Sequence, residues 1–407
     1  MNCRHCSTPL EISFVDLGSA PPSNAYLSAA DLSKPEVHFP LRVKVCHRCW
    51  LVQTEDFAAA ETFFDSQYAY FSSTSSTWLD HASAYADMIT RRLGLTQENF
   101  VVEVAANDGY LLRNFVAKGI PCLGIEPTAS TAAAAEQIGI PVLREFFGES
   151  LGRSLAATRP ADLIIGNNVY AHVPNINDFT RGLAAALAPR GTITLEFPHL
   201  MRLIAETQFD TIYHEHFSYL ALTVVARVFA SCGLRVWDVE ELPTHGGSLR
   251  VYGCHANDRR PPEPRVAQLI EEEQRRGLET PSPYASFQER AERVKDDLLE
   301  FLIAEKQSGR SVAAYGAAAK GNTLLNFAGI RSDLLPFVCD AAPSKYGRWM
   351  PGSRIPILPP GELLARKPQT VLILPWNIAQ EVVRQNASLN AGGTRFFVAV
   401  PRLIEIS

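Results

Sequence analysis

The sequence predicts an α/β protein in three parts: a cysteine-bearing segment over residues 1–65, then two Rossmann-like domains over 66–240 and 241–407. Three observations predict it. Cysteines pair as Cys3-x-x-Cys6 and Cys46-x-x-Cys49 near the N-terminus. From about residue 85, apolar strands alternate with helical stretches, the pattern of a largely parallel sheet wound on both faces. The stretch SVAAYGAAAKGNTLLNF then reads strand, glycine turn, helix, the start of a second such unit.

Composition sets limits. The 407 residues suffice for more than one core. A hydrophobic content of 46% with 20% charged residues fits a soluble globular chain. A net charge of −5 without a long basic run speaks against a nucleic-acid partner. The opening MNCRHCSTPL lacks the apolar run of a signal peptide. No apolar segment approaches the roughly 18 residues of a membrane span. A cytoplasmic protein with reduced thiols and no membrane contact is therefore expected.

Each C-x-x-C knuckle turns two sulfurs toward one centre, and two knuckles complete a tetrahedral Zn²⁺ site. Cys3, Cys6, Cys46 and Cys49 are the expected ligands, and four protein ligands make the site structural. The second knuckle follows the alternating stretch LRVKV, which reads as a strand. Cys122, Cys232, Cys254 and Cys339 lie in apolar surroundings and are expected to be buried.

In the central part, AYADMITRRLGL is helix-like and ends near a glycine. VVEVA is a strand, AANDG a turn, and PCLGIEPTAS a second strand ending in Glu126. ADLIIGNNVYAHV and GTITLEFP supply later strands. An acid ending the second strand suits the two hydroxyls of an adenosine ribose. One turn glycine, Gly109, leaves room for a cofactor to approach the backbone. There is no G-x-G-x-x-G, so the turn is closer to an S-adenosylmethionine site than to a dinucleotide site. We expect the cofactor residues to include Glu103, Asn107, Gly109, Tyr110, Leu111, Glu126, Asn168 and Tyr70. Tyr68 and Tyr70 lie in a polar stretch that either closes over a ligand or simply covers the surface.

The heptapeptide YHEHFSY, residues 213–219, concentrates two histidines, two phenols and a carboxylate. It reads as a metal site, a proton-transfer site or a solvated loop. His214 and His216 are two apart rather than one helical turn apart, which argues against the zinc-protease pattern. His214 is expected to be structural. In the C-terminal half, HGGSLRVYGCH has glycines that either admit a close approach or make a turn, followed by a strand. Two charged helical stretches lead to the second Rossmann-like unit. There, Lys320 and the amides at the helix start could hold a pyrophosphate. Asn322, Lys345, Arg348 and Trp376 complete the expected substrate set.

Taken together, the cysteine pairs, the ENDG-type turn, NNVYAHVPN, YHEHFSYL and HGGSLRVY, in this order, resemble the deoxysugar C-methyltransferases of antibiotic biosynthesis. The resemblance spans the chain. It implies an N-terminal zinc-binding domain, a central S-adenosylmethionine-dependent methyltransferase domain and a C-terminal domain that helps bind a nucleotide sugar. It implies methylation of a carbon beside the 4-keto group of a dTDP-6-deoxysugar, at C-3 or C-5. It also implies catalytic roles for Tyr213, Glu215 and His216, with His216 as base, and for His172. An enolate route needs a base that titrates near neutrality and a donor for the enolate oxygen. Glu215 is expected to orient a histidine. Ala105, where glycine is common, leaves the contacts at 104–106 open. A monomer is expected. A zinc-ribbon RNA methyltransferase and a non-enzymatic nucleotide-sugar-binding protein are the alternatives.

Overall fold

The computed structural model describes residues 1–57 and 71–406. Tyr68 and Tyr70 therefore lie outside the described residues. No helix among the described residues is long and apolar enough to cross a membrane.

The N-terminal sheet is antiparallel, built from β1 (Ile12–Ala20), β2 (Phe39–Val45) and β3 (Val52–Thr54). The alternation read in LRVKV is that of β2: Leu41, Val43 and Val45 face the core and the residues between them do not.

The central sheet contains β4 (Val101–Val104), β5 (Cys122–Ile125), β6 (Val142–Leu143), β7 (Ala161–Asn167) and β8 (Leu187–Pro198). These five run parallel in the order β8-β7-β4-β5-β6. The order reverses between β4 and β7, the switch point where such sheets bind ligands. Helix Ser76–Leu93 precedes β4; it is capped by the Ser75 hydroxyl and closed by Gly94 at φ +64°.

A two-residue strand, β9 (Ser218–Tyr219), leaves this domain and pairs with β3 as the fourth strand of the N-terminal sheet. YHEHFSY thus ends inside the sheet of the cysteine-bearing domain. The chain returns through helix Leu222–Ser231 to β10 (Leu234–Leu242) and β11 (Ser248–His255). Both are antiparallel additions to the central sheet, β11 pairing with β8. SLRVYGCH lies beyond the boundary expected after residue 240, yet seven of its eight residues are buried because it is an interior strand of the central sheet.

Helices Pro264–Arg275 and Phe287–Gln307 bridge to the last sheet. Its strands are β12 (Val312–Tyr315), β13 (Val338–Cys339), β14 (Ile357–Leu358), β15 (Thr370–Ile373), β16 (Arg395–Val398) and β17 (Ile404–Ile406). The order is β14-β13-β12-β15-β16-β17, parallel except for β17. Helix Ala319–Phe327 follows β12, as the strand–turn–helix reading of that stretch predicts.

Candidate active site

The four knuckle sulfurs lie within 4.8 Å of one another. Cys3–Cys49 and Cys6–Cys46 are each 3.5 Å apart, too long for a disulfide and near the roughly 3.8 Å edge of a tetrahedron with Zn–S bonds of about 2.3 Å. The Gln53 amide donates to Cys3 Sγ at 3.3 Å, and Gln53 in turn accepts from the Arg4 amide at 2.9 Å. Four converging thiols with a supporting donor fit one Zn²⁺.

At the carboxyl edge of the central sheet, residues 105–109 form a strained turn. Ala105, Asn107 and Gly109 have φ of +59°, +50° and +77°. Ala105 therefore holds the left-handed backbone that glycine adopts without strain. Glu126, at the end of β5, accepts from the amides of Asn107 and Thr128, each at 2.9 Å. The Asn107 side-chain carbonyl accepts from the Ser72 amide at 2.9 Å and Asp108 Oδ2 from the Ser73 amide at 3.0 Å, so residues 72–73 close one side of the turn. Glu103 is buried beneath, its carboxyl pushed well up by burial and by the Asp108 and Glu126 charges.

A Cβ on Gly109 would lie 2.3 Å from Ile140 Cδ1 and 3.2 Å from Ala135 Cβ, so the glycine makes room for the packing behind the turn. The Leu111 side chain is fully buried in the core. Tyr110, nearly buried, stacks on Trp78 at 6.1 Å.

Segment 213–217 is gripped from two sides. The Phe217 amide donates to Ala171 O at 2.8 Å and the Thr54 amide to Phe217 O at 3.2 Å. The Thr54 hydroxyl donates to His216 O at 3.0 Å. His216 is buried between Tyr213 and His172, with ring centroids 4.0 and 4.6 Å away. Its Nδ1 donates to Thr211 O at 2.8 Å, which leaves Nε2 as the lone-pair nitrogen. Burial, then the neighbouring His172, holds the imidazole well below its usual pKa, so it is neutral. Burial takes His172 down to about 4, against a hydrogen bond to the Glu215 backbone. Glu215 does not orient a histidine with its carboxylate, as expected above. Both of its oxygens accept from Asn24 Nδ2, at 2.8 and 2.9 Å. Burial pushes that carboxyl up to about 7. The orienting group for His216 is the Thr211 carbonyl. His214 meets Phe39 O through Nε2 at 3.2 Å, a structural contact.

The C-terminal domain faces this cluster. Lys320 Nζ donates to Asn377 Oδ1 at 2.6 Å and lies 4.5 Å from the Trp376 ring centre. The Trp376 indole donates to Asp210 Oδ2 at 2.7 Å, across the domain junction. The positive charge of Lys320 also bears on His216 and His245. Lys345 is tied to Ala317 O at 2.8 Å and to Asp340 at 3.4 Å, above the Tyr26 ring. Arg348 is exposed. Asn322 is buried; its amide donates to Ser23 O at 2.6 Å, joining two domains, and its Oδ1 has no hydrogen-bond partner among the described residues.

Comparison with known proteins agrees along the whole chain. Residues 3–64 match a family model for a zinc binding domain, 78–239 one described as a methyltransferase domain, and 243–401 one described as a C-methyltransferase C-terminal domain. C-methyltransferase NovU from Streptomyces niveus is 34% identical over 400 residues, covering 98% of this chain and 95% of NovU. The chain belongs to the C-methyltransferase family. Solved structures share far less. An S-adenosylmethionine-dependent methyltransferase from Clostridium acetobutylicum is 10% identical with a TM-score of 0.36, covering 43% of this chain and 91% of its own. Magnesium protoporphyrin IX methyltransferase from Synechocystis is 12% identical with a TM-score of 0.34, covering 44% and 82%. The assignment rests on the family matches and NovU.

The cofactor of this C-methyltransferase is S-adenosylmethionine, and the residues at the carboxyl edge fit it. That molecule carries a sulfonium and an ammonium, and Glu103, Asp108 and Glu126 form an acidic edge around the turn. Buried oxygens without a partner gather there: Glu103 Oε2, Asp108 Oδ1 and Asn168 Oδ1. Asn167, beside Asn168 at the end of β7, is buried with both side-chain polar atoms unpartnered. Such groups are costly unless a ligand satisfies them. Asn168 sits at φ +52°, and its Nδ2 meets His245 Nε2 at 3.3 Å. Sequence reading missed Asn167, Asn24 and Asp210. The repeated asparagine in GNN was a usable signal for the first. The other two act through contacts between domains that no local pattern shows.

Proposed function

We propose that this C-methyltransferase methylates a carbon beside the 4-ketone of a dTDP-4-keto-6-deoxysugar, at C-3 or C-5, through an enolate, with His216 as general base. The observation that carries the reading is the geometry of His216: its Nδ1 proton is committed to Thr211 O at 2.8 Å, which leaves Nε2 to accept a proton, although burial holds the imidazole below the near-neutral range expected of the base. S-adenosylmethionine supplies the methyl group when bound; in this reading Asn107, Glu126, Asn167 and Asn168 would hold it.

In this reading His216 Nε2 takes the proton from the α-carbon, and the C–H electron pair moves into the enolate, its negative charge on the former ketone oxygen. Tyr213, stacked 4.0 Å from His216, and Lys320 supply a phenol and a cation for that oxygen. The enolate carbon then takes the methyl as the methyl–sulfur bond of the bound cofactor breaks, S-adenosylhomocysteine leaves with that electron pair on sulfur, the ketone re-forms, and the proton on His216 passes to solvent. Exclusion of water by the N-terminal and C-terminal domains strengthens each of these interactions. The family resemblance and the similarity to NovU support C-methylation. In this reading Lys345, over the Tyr26 ring, and the exposed Arg348 would meet the nucleoside diphosphate.

The test is α-proton exchange in D₂O with the zinc-loaded enzyme and a dTDP-4-keto-6-deoxysugar. Wild type should exchange one proton and transfer methyl to the same carbon. His216→Asn should abolish both while melting as wild type does. Full exchange by His216→Asn would overturn the base assignment. No exchange or turnover by wild type with any dTDP-4-keto-6-deoxysugar would overturn the substrate class.

A further inference from the structure

Asp210 stands in the turn Phe209–Thr211, one residue before the carbonyl that orients His216. It is 0% exposed. Oδ2 is held by the Trp376 indole at 2.7 Å, whereas Oδ1 has no hydrogen-bond partner among the described residues. The amides of Asp210 and Thr211 and the charge of Lys320 favour its ionised form, against a burial effect that pushes it up to about 6. A buried carboxylate oxygen with no donor pays a full desolvation cost. Trp376 keeps it in place, and Gly246 keeps Trp376 in place: a Cβ on Gly246 would lie 2.2 Å from the indole. Lys320 rests on the face of the same indole and carries N–H groups beyond the one given to Asn377.

Resting on the proposed sugar substrate, we propose that Asp210 and Lys320, set on the edge and face of Trp376, form a clamp that recognises an α-hydroxy ketone. The ketone oxygen accepts from Lys320, and the neighbouring ring hydroxyl donates to Asp210 Oδ1. A carboxylate accepts only, so the substituent it reads is a donor. A hydroxyl fits better than an ammonium, because Lys320 already balances the Asp210 charge and would repel a second cation. The substrate therefore carries a free hydroxyl, not an amine, on the carbon next to the ketone. The clamp is assembled from two domains and exists only when they are docked.

The test pairs substrates with variants of the zinc-loaded full-length enzyme. Three dTDP-4-keto-6-deoxysugars, with hydroxyl, hydrogen or amine at the flanking carbon, are assayed for kcat/KM. Wild type should prefer the hydroxyl compound over the other two by at least about tenfold, since sites built around a hydrogen bond reject analogues that lack it. Asp210→Asn should lower kcat/KM for the hydroxyl compound by about tenfold or more. For the hydrogen compound it should add less than about threefold, so that discrimination collapses. Trp376→Phe, which removes the indole donor but keeps a ring, should erode discrimination to a smaller degree. Equal losses on the hydroxyl and hydrogen compounds would reduce Asp210 to a latch between domains and overturn the clamp, as would preference for the amine. Wild type inactive on all three would instead overturn the sugar reading beneath it.

Discussion

Replacing Gly109 by alanine separates two explanations of one residue. If the glycine serves the cofactor, the variant folds normally and binds S-adenosylhomocysteine poorly. The geometry predicts the reverse. The backbone sits at φ +77°, where an L side chain costs about 1–2 kcal/mol. The new methyl would lie 2.3 Å from Ile140 Cδ1 and 3.2 Å from Ala135 Cβ, both in the packed core. Overpacking of this kind costs about 1–3 kcal/mol, at the lower end if the Ile140 end carbon swings aside. The sum is roughly 2–5 kcal/mol, or about 4–20 °C in the melting of a domain of this size. The assay is thermal unfolding of the zinc-loaded protein, with calorimetric titration of S-adenosylhomocysteine below the transition. Adding Ile140→Val removes the clashing carbon and should recover the packing share of the loss but not the backbone share. An unchanged melting temperature with affinity weakened tenfold or more would refute the packing argument and restore the cofactor one.

Four further outcomes follow from the same geometry. Ala105→Gly, at φ +59°, should leave stability unchanged or raise it by up to about 1 kcal/mol, the relief of strain being partly offset by unfolded-chain entropy; a clear loss in melting temperature would sink the idea. Glu215 has a folded-state pKa raised to about 7 by burial, so its ionisation destabilises the fold as pH climbs from about 4.5 to about 7. Glu215→Gln should therefore raise stability relative to wild type at pH 8, by up to about 3 kcal/mol, and much less at pH 5, as read from denaturant titrations; a larger gain at pH 5 would contradict the sign. Asn24→Ala strips both Glu215 oxygens of their donor and should cost about 1–3 kcal/mol, with lower kcat, while Glu215→Gln in that background should restore part of the stability. Elemental analysis should find one zinc per chain, and Cys46→Ser should lower both zinc content and turnover; full turnover without zinc would show that the metal does not support the site.

Much of the fold was legible because its signals are local. Paired cysteines, the β2 alternation, the turn after VVEV and the strand-end Glu126 each lie within a few residues. Tyr213, His216 and His172, named from two short motifs, lie together in the structure. Sequence reading failed where a role depends on a distant partner. Glu215 was read as orienting a histidine because it neighbours two in sequence, yet it turns to Asn24, 191 residues away. The contact of Asn322 with Ser23, 299 residues away, is likewise invisible in either segment. Gly109 was read for space on the ligand side of a turn, whereas a Cβ there would meet the core side. The place of β11 in the central sheet was not legible because pairing with β8 is not written in β11 itself.

The pairing of β3 with β9 ties the metal-binding domain to the loop that holds His216. Segment 213–217 has no regular structure of its own and carries the proposed base. Its downstream end is fixed by two residues, Ser218 and Tyr219, paired to Gln53 and Val52. Gln53 also touches the Cys3 sulfur. A strand pair that short holds only if the partner strand is rigid, and β3 spans only Val52–Thr54, immediately after the second knuckle. The zinc site and the buried Val43, Val45, Leu51 and Val52 packed around it supply that rigidity. On the other side, Asn24 and Ser23 reach from the same domain to Glu215 and Asn322. The N-terminal domain thus braces the base-bearing loop from below and joins it to the C-terminal domain at the side. Catalytic geometry tolerates errors of only about half an ångström, so bracing at both ends accounts for the position of each of the three domains.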